Sequence, residues 1–303
     1  MLAASGDSSS HLSEANAARR AALFRETPAE RIERVLLGTA WALQPRRLKD
    51  WPPYLQALVA DQFAPSSLPD PARSFGEAGY AGRVRDLSVP TLVEAYRRGL
   101  FTFAHFGRPQ WMSLPARSVL FFDELHIAKR LRRQMRQSAY TVTFDRDFEG
   151  VIAACAGRRS SRWHLTWITP RIMHAYAALY DAGHVHSFEV WNQNGALVGG
   201  GYGVALGRIF FTESQFSHED NTSKLGFTVL NYHLARWGFL LNDGKYPTRP
   251  TIDMGFRVIS RAEFLRLLAD GAQGGGEPGR WQVEAGPEIV ADWQPQAKAL
   301  AAE

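Results

Sequence analysis

Apolar residues recur about every four positions in some stretches of the chain and every second position in others, and these periods predict its elements. Ile127, Leu131 and Met135 lie four apart, with Lys129, Arg130, Arg132, Arg133 and Arg136 clustered among them, which predicts a two-faced helix over 125–136. Leu92, Ala95 and Tyr96 make one face of a helix over 89–98 that Ser88 caps and Gly99 ends. Thr169-Pro170 opens another, running to about Ala182 with Gly183 past its end. A fourth runs from about Ser223 to Trp237, with Asn221 or Thr222 as its cap. Residues 140–144 alternate like a strand. The segments 186–191, 196–204 and 208–216 are joined by turns at 192–195 and 206–207 and read as an antiparallel meander. Residues 118–122 are short and apolar, and a strand over 239–241 ends at Asn242-Asp243. One position disturbs the pattern: Glu213 interrupts the apolar run of the third meander strand.

Helix, meander, helix and returning strand predict an α+β fold: a GNAT-like acyltransferase domain with a mixed, largely antiparallel sheet. Before it, residues 1–71 read as a helical extension and linker, with helix over 11–63 and a linker from Pro65 to Pro71. Residues 72–118 read as a small N-terminal lobe and 119–270 as the catalytic domain. From the Gly-rich 271–279 onward the chain reads as linker and tail.

Composition narrows the class. The 303 residues are 45% hydrophobic and 21% charged, ordinary for a globular chain with a sizeable core. No apolar run reaches the roughly 18 residues of a membrane helix, and the first 20 lack a signal-peptide core. The single Cys155 excludes an internal disulfide and a multi-cysteine metal site, and the nine histidines make no ligand pattern. A cytoplasmic protein is expected. The net charge of +5 permits a nucleic-acid partner without requiring one.

Several motifs then fall in a telling order. They are Ala95-Tyr-Arg-Arg-Gly-Leu-Phe101, Trp111-Met-Ser113, Thr166-Trp-Ile-Thr169, His184-Val-His-Ser-Phe-Glu-Val-Trp191, Gly199-Gly-Gly-Tyr-Gly203, Glu213-Ser-Gln-Phe-Ser217 and Asn221-Thr-Ser-Lys224. Over about residues 75–265 the chain resembles the leucyl/phenylalanyl-tRNA–protein transferases. The resemblance implies transfer of Leu or Phe from aminoacyl-tRNA to the N-terminal Arg or Lys of an acceptor protein, by a protein expected to be a monomer. It implies no cofactor, because an amino acid esterified to tRNA is already activated. By resemblance, Asp243 handles the acceptor ammonium and Glu213 lies at the catalytic pocket. Phe103 and Trp167 either sandwich the terminal adenine, since single-stranded ends are often held by stacking, or are plain core. Gly201, Gln215 and Asn242 fall at the donor pocket, and Phe210 is core or pocket wall.

The chain departs from the family where chemistry is expected. An Asp-x-Gln pair is here Asp243-Gly-Lys245, and lysine only donates. Two apart on a strand, Asp243 and Lys245 share a face, and a plain surface salt bridge between them is the alternative reading. The aromatic-loop Trp is Phe103, the Met after Glu-Ser is Gln215, and apolar residues become Gly201 and Asn242, so a changed donor amino acid is expected. For the remaining candidates two readings stay open. Glu213 is either a pocket acid or a buried scaffold acid. The cations Lys129, Arg130, Arg132, Arg133 and Arg136 contact tRNA phosphates or are solvated. Asn221, Ser223 and Lys224 hold a phosphate or simply start a helix. Other functions kept open are an aminoacyl-tRNA-dependent transferase with a small-molecule or lipid acceptor, and a non-catalytic tRNA-binding relative. A CoA-dependent acetyltransferase is disfavoured by the missing pyrophosphate loop.

Overall fold

The computed structural model describes residues 17–63, 68–103, 107–137, 139–158, 165–272 and 279–295. The extension contains α1 (Pro28–Ala42), a 3-10 turn (Pro45–Asp50) and α2 (Trp51–Phe63). Thr27 and Glu30 form a reciprocal capping box at the start of α1. A small antiparallel sheet of order β1–β3–β2 follows, built from β1 (Tyr80–Arg83), β2 (Phe101–Phe103) and β3 (Gln110–Met112), with α3 (Val89–Arg97) between the first two.

The rest is a seven-stranded sheet with helices on both faces. In chain order its parts are β4 (Ala116–Leu120), α4 (Lys129–Arg136), β5 (Tyr140–Phe144), α5 (Phe148–Ala156), α6 (Pro170–Asp181), β6 (Val185–Asn192), β7 (Leu197–Leu206) and β8 (Ile209–Ser217). Then come α7 (Thr222–Arg236), β9 (Leu241–Lys245), α8 (Arg249–Asp253), β10 (Arg257–Ser260), α9 (Arg261–Gly271) and α10 (Pro287–Val290). The strand order is β10–β4–β9–β8–β7–β6–β5. The mixed α+β class and the antiparallel β6–β8 meander follow the sequence pattern; β8 and β9, linked through α7, form the parallel pair.

Side chains alternate across a strand, so this sheet separates two apolar cores. Tyr176, Tyr202 and Phe211 lie in the core that includes α5, α6 and the small lobe. Phe188, Phe210 and Phe227 lie in the core beneath α4 and α7. The helix expected over 125–136 begins only at Lys129, because Phe122–Glu124 makes a 3-10 turn and the His126 N–H donates to the Met254 carbonyl. The strand expected at 239–241 starts at Leu241 and continues to Lys245, held by β4 on one side and β8 on the other.

The expected tail is also corrected where it is described. Residues 279–295 pack as a strap across the large sheet and α7. The Trp281 ring stacks on His186 at 3.6 Å, and its backbone N–H donates to Asp145. His233 Nε2 accepts the N–H groups of Glu284 and Ala285, and Val290 is fully buried. The expectations for residues 1–16, 64–67, 273–278 and 296–303 lie outside the described residues.

Glu189 on β6 has no solvent exposure. It accepts from the Ser187 and Thr143 hydroxyls and the Arg146 N–H. Burial nevertheless pushes its carboxyl from the ordinary 4.5 up to about 7. A raised native value means stability that is full below about pH 4.5 and is lost as pH rises through 7. The wild type should lose roughly 3 kcal/mol between pH 4 and 8 that Glu189→Gln does not lose. Urea unfolding at the two pH values measures this, and equal losses in both proteins would refute it.

Candidate active site

Glu213 sits in a β-bulge. The β7–β8 register slips between Tyr202 opposite Ser214 and Gly203 opposite Thr212, leaving Glu213 as the extra residue. The slip flips the alternation, so Phe211 before it and Phe216 after it face the same core. The bulge lies just beyond the paired part of the parallel strands, which runs from Ile209–Phe211 to Leu241–Asp243. Past that point Lys245 bridges the two strands with its side chain. Its Nζ donates to the Thr212 carbonyl at 2.6 Å and to Glu213 at 2.7 Å. Glu213 also accepts the Tyr96 hydroxyl at 2.6 Å, and Tyr96 and Tyr176 hydroxyls are 2.6 Å apart. With the Tyr96 proton on Glu213, Tyr176 donates to Tyr96. Burial holds both tyrosine hydroxyls far above their ordinary value, so they remain donors.

Lys245 adopts a left-handed backbone, φ 61°, which a lysine holds only when its surroundings fix it. Asp243 supplies one constraint: its carboxylate accepts the Lys245 backbone N–H at 2.9 Å. Arg117 fixes Asp243 in turn, with Nε at 3.1 Å from one oxygen and a terminal nitrogen on the other. A further Arg117 nitrogen donates to the Gly99 carbonyl, and the guanidinium lies 4.3 Å from the Phe264 ring centre. Gly99 follows α3 at φ 74°, a turn that glycine adopts without strain. Two expectations are therefore corrected. Asp243 and Lys245 pair not with each other but with Arg117 and Glu213. Asp243 has no exposure and both its oxygens are occupied, so it shapes the strand end rather than meeting an acceptor. Sequence reasoning missed Arg117, whose signal was a lone cation inside the short strand Ala-Arg-Ser-Val-Leu.

Aromatic rings surround this pair on the same face. Phe103 lies 6.2 Å from Trp167 and 6.1 Å from Tyr246, and Trp167 meets Tyr176 edge-on at 6.1 Å. Phe103 and Trp167 are thus in contact with each other, and a base enters between them only if they part.

The other face holds the residues expected at the donor pocket. Phe210 belongs to the α7-side core. A Cβ on Gly201 would meet Gln215 and Phe188 within 2.8 Å. Asn242 is fully buried, accepts from the Thr212 hydroxyl and donates to Asn231. The four residues therefore face α7, opposite Glu213 and Lys245. The basic helix is divided: Lys129, Arg130 and Arg133 are exposed, but Arg132 donates to the Ala291 and Trp293 carbonyls and Arg136 pairs with Asp292. The expectation that all five cations are free for RNA is corrected for those two, because the strap engages them. Asn221 stands at the α7 start in a left-handed backbone without a side-chain cap bond. Ser223 bonds Ser217, and Lys224 is half-buried at the same end. Among the described residues no cluster of three or more His, Cys, Asp or Glu can hold a metal ion, and no helix is long and apolar enough to cross a membrane.

A buried Lys245–Glu213 pair beside a cluster of aromatic rings stands where two parallel strands end their pairing, in a mixed α+β fold. The family model described as "Leucyl/phenylalanyl-tRNA protein transferase" matches residues 119–269. A leucyl/phenylalanyl-tRNA–protein transferase of Azotobacter vinelandii is 51% identical over 184 residues, 60% of this chain and 80% of that protein. Those of Pseudomonas fluorescens SBW25 and Pseudomonas syringae pv. syringae are each 49% identical, covering 61% of this chain and 81% and 80% of theirs. The chain belongs to the leucyl/phenylalanyl-tRNA–protein transferase family. Among solved structures, L-PGS from Bacillus licheniformis aligns at 12% identity over 54% of this chain and 50% of that one; its TM-score of 0.31 is too low to bear on the fold.

Removing one partner of a buried ion pair strands the other charge. Arg117→Met should therefore destabilise the protein by about 3–5 kcal/mol, and the double change Arg117→Met/Asp243→Leu should recover most of that. Chemical denaturation of the three proteins decides it. A double variant no more stable than the single one would show that packing, not charge, governs the position.

Proposed function

We propose that this chain moves an amino acid from an aminoacyl-tRNA to the N-terminal amine of an acceptor protein. The observation that carries the reading is the buried Lys245–Glu213 pair beside Phe103 and Trp167, at the point where β8 and β9 part. Family membership supports it. That parting of two parallel strands also supports reading the large sheet as GNAT-like. In this reading residues 72–118 are a small lobe and 119–270 the catalytic domain of a cytoplasmic monomer.

The ester is already activated, and an α-amino group with a pKa near 8 needs little help to lose its proton. Its lone pair attacks the ester carbonyl, and a C–N bond forms. The C–O bond to the ribose breaks, and the amine's proton ends on the ribose oxygen. Lys245 donates to the carbonyl oxygen as charge develops there, and Glu213 holds the ammonium in place with the hydroxyls of Tyr96 and Tyr176 behind it. Asp243, fixed by Arg117, keeps the strand end in position. Phe103 and Trp167 offer ring faces to the terminal adenine. The amides of Gln215 and Asn242, where the family has apolar residues, support a donor other than Leu or Phe, with Gly201 and Phe210 beside them on the α7 side of the sheet. Lys129, Arg130, Arg133, Asn221, Ser223 and Lys224 meet phosphates along the acceptor stem. Family resemblance points to acceptors beginning with Arg or Lys. The Lys245 ammonium opposes such a side chain, which favours a small-molecule acceptor as a second reading.

The test uses tRNAs charged singly with each amino acid, offered with peptides of varied N-terminus and with small amines, and read by mass spectrometry. Transfer to a peptide N-terminus is expected. Lys245→Ala should lower kcat by about 10²-fold with tRNA binding kept. Transfer by Lys245→Ala at the wild-type rate would overturn the role given to the lysine. Transfer to small amines alone would favour the second reading.

A further inference from the structure

The helices α1 and α2 form an arm that is anchored through one face of each. Tyr54 of α2 packs edge-on against Tyr80 of β1 at 5.3 Å, Ala57 is fully buried, and Asp61 accepts a fork from Arg85. Gly38 and Ala42 are the buried residues of α1, and the Ala42 carbonyl accepts the indole N–H of Trp51. The other faces are apolar, where a surface helix is expected to be polar. On α1, Val35 and Leu36 lie three and four residues after Ile32, and Leu43 lies seven after Leu36, which is the spacing of one stripe. All four are more than half exposed. On α2, Leu55, Val59 and Phe63 follow one another at steps of four, and Phe63 is 81% exposed. Leu48 stands exposed in the turn between the helices. Among the described residues eleven large apolar side chains are exposed, and eight of them belong to this one segment, so the exposure is a property of the arm and not of the surface at large. Neither stripe contains a charged residue, and the one charge of α2, Asp61, is engaged by Arg85.

The chemistry of these stripes selects a partner. Exposed by half to four-fifths, the eight side chains offer on the order of 800 Å², about the share of one partner in a standard-size interface and more than a monomer usually leaves open. A two-fold interface sets a patch against itself, which a neutral apolar stripe tolerates and a stripe of one charge does not. A lipid surface is met by helices with Lys and Arg along the polar face, and α2 has neither. The stretches 1–16 and 296–303 hold four large apolar side chains, Met1, Leu2, Leu12 and Leu300, too few to cover eight.

We propose that α1 and α2 are a self-association surface on which a second copy of this chain docks, giving an isologous dimer. For the full chain this replaces the monomer that the family resemblance implies, because the resemblance begins near residue 75 and the arm precedes it. The proposal stands apart from the transfer reading: the residues given a role in the site lie between Tyr96 and Tyr246, so each copy keeps a complete set.

The experiment is sedimentation velocity on the full chain and on Leu36→Glu, Val59→Glu and Ile252→Glu. The wild type, run from about 1 to 100 µM, is expected as a dimer with a Kd of about 10 µM or tighter. Leu36→Glu or Val59→Glu puts a charge into a stripe and, by symmetry, two charges into the interface, so each should weaken the Kd about tenfold or more. Ile252→Glu, at an exposed apolar residue of α8 outside the arm, should dimerise as the wild type does. All three positions are exposed, so the fold should survive, and far-UV circular dichroism checks that it does. A wild type that stays monomeric throughout, or a dimer that both arm variants leave intact, overturns the proposal. So does a monomer that sediments with phosphatidylcholine–phosphatidylglycerol vesicles and loses this with Leu36→Glu or Val59→Glu, which would make the arm a lipid-binding surface. A dimer that transfers nothing sinks the transfer reading and leaves this proposal standing.

Discussion

Two ion pairs buried side by side govern this structure. Arg117 with Asp243 and Lys245 with Glu213 join three strands, β4, β9 and β8, at the place where the pairing of the parallel strands ends. Each charge loses its water on folding, and its partner alone barely compensates for that loss. Here the remaining donors and acceptors are met as well. Asp243 takes a backbone N–H, Lys245 gives to a carbonyl, Arg117 gives to Gly99, and Glu213 takes the Tyr96 hydroxyl. The result is a charged centre whose left-handed Lys245 backbone sets its ammonium against Glu213 and the Thr212 carbonyl. Stability alone would be served as well by apolar residues of similar volume.

The sheet then sets what lies on either side of that centre. A bulge at Glu213 turns the acid into the aromatic face while its neighbours Thr212 and Gln215 face α7. One face therefore gathers the charged centre and the rings of Phe103, Trp167 and Tyr246. The other gathers Asn242, Asn231 and Thr212 in a satisfied polar chain. The strap of 279–295 braces the α7 side through His233 and Arg132.

Much of this was legible in the sequence, and the misses have physical causes. The alternation of β6, β7 and β8 and the Thr169-Pro170 start of α6 read directly, because local period and capping chemistry decide them. The strand expected over 239–241 and ending at Asn242-Asp243 runs on to Lys245, because β4 continues the ladder past the point where β8 stops. Arg117 was overlooked because its partner lies 126 residues away and no local pattern joins them. The strap was overlooked because glycines precede it, while Trp281 and Val290 are fixed by contacts distant in sequence. The sharing of Arg132 and Arg136 with that strap was hidden for the same reason.

The central claim concerns geometry at Lys245, and geometry can be observed. A crystal structure with a 3′-amide analogue of an aminoacyl-adenosine tests it most directly. The account expects the adenine against Phe103 or Trp167, the amide carbonyl within about 3 Å of Lys245 Nζ, and the amino-acid side chain passing between β8 and β9 toward Asn242. An analogue bound elsewhere, or one whose carbonyl faces away while Lys245 stays on Glu213 and Thr212, would contradict it.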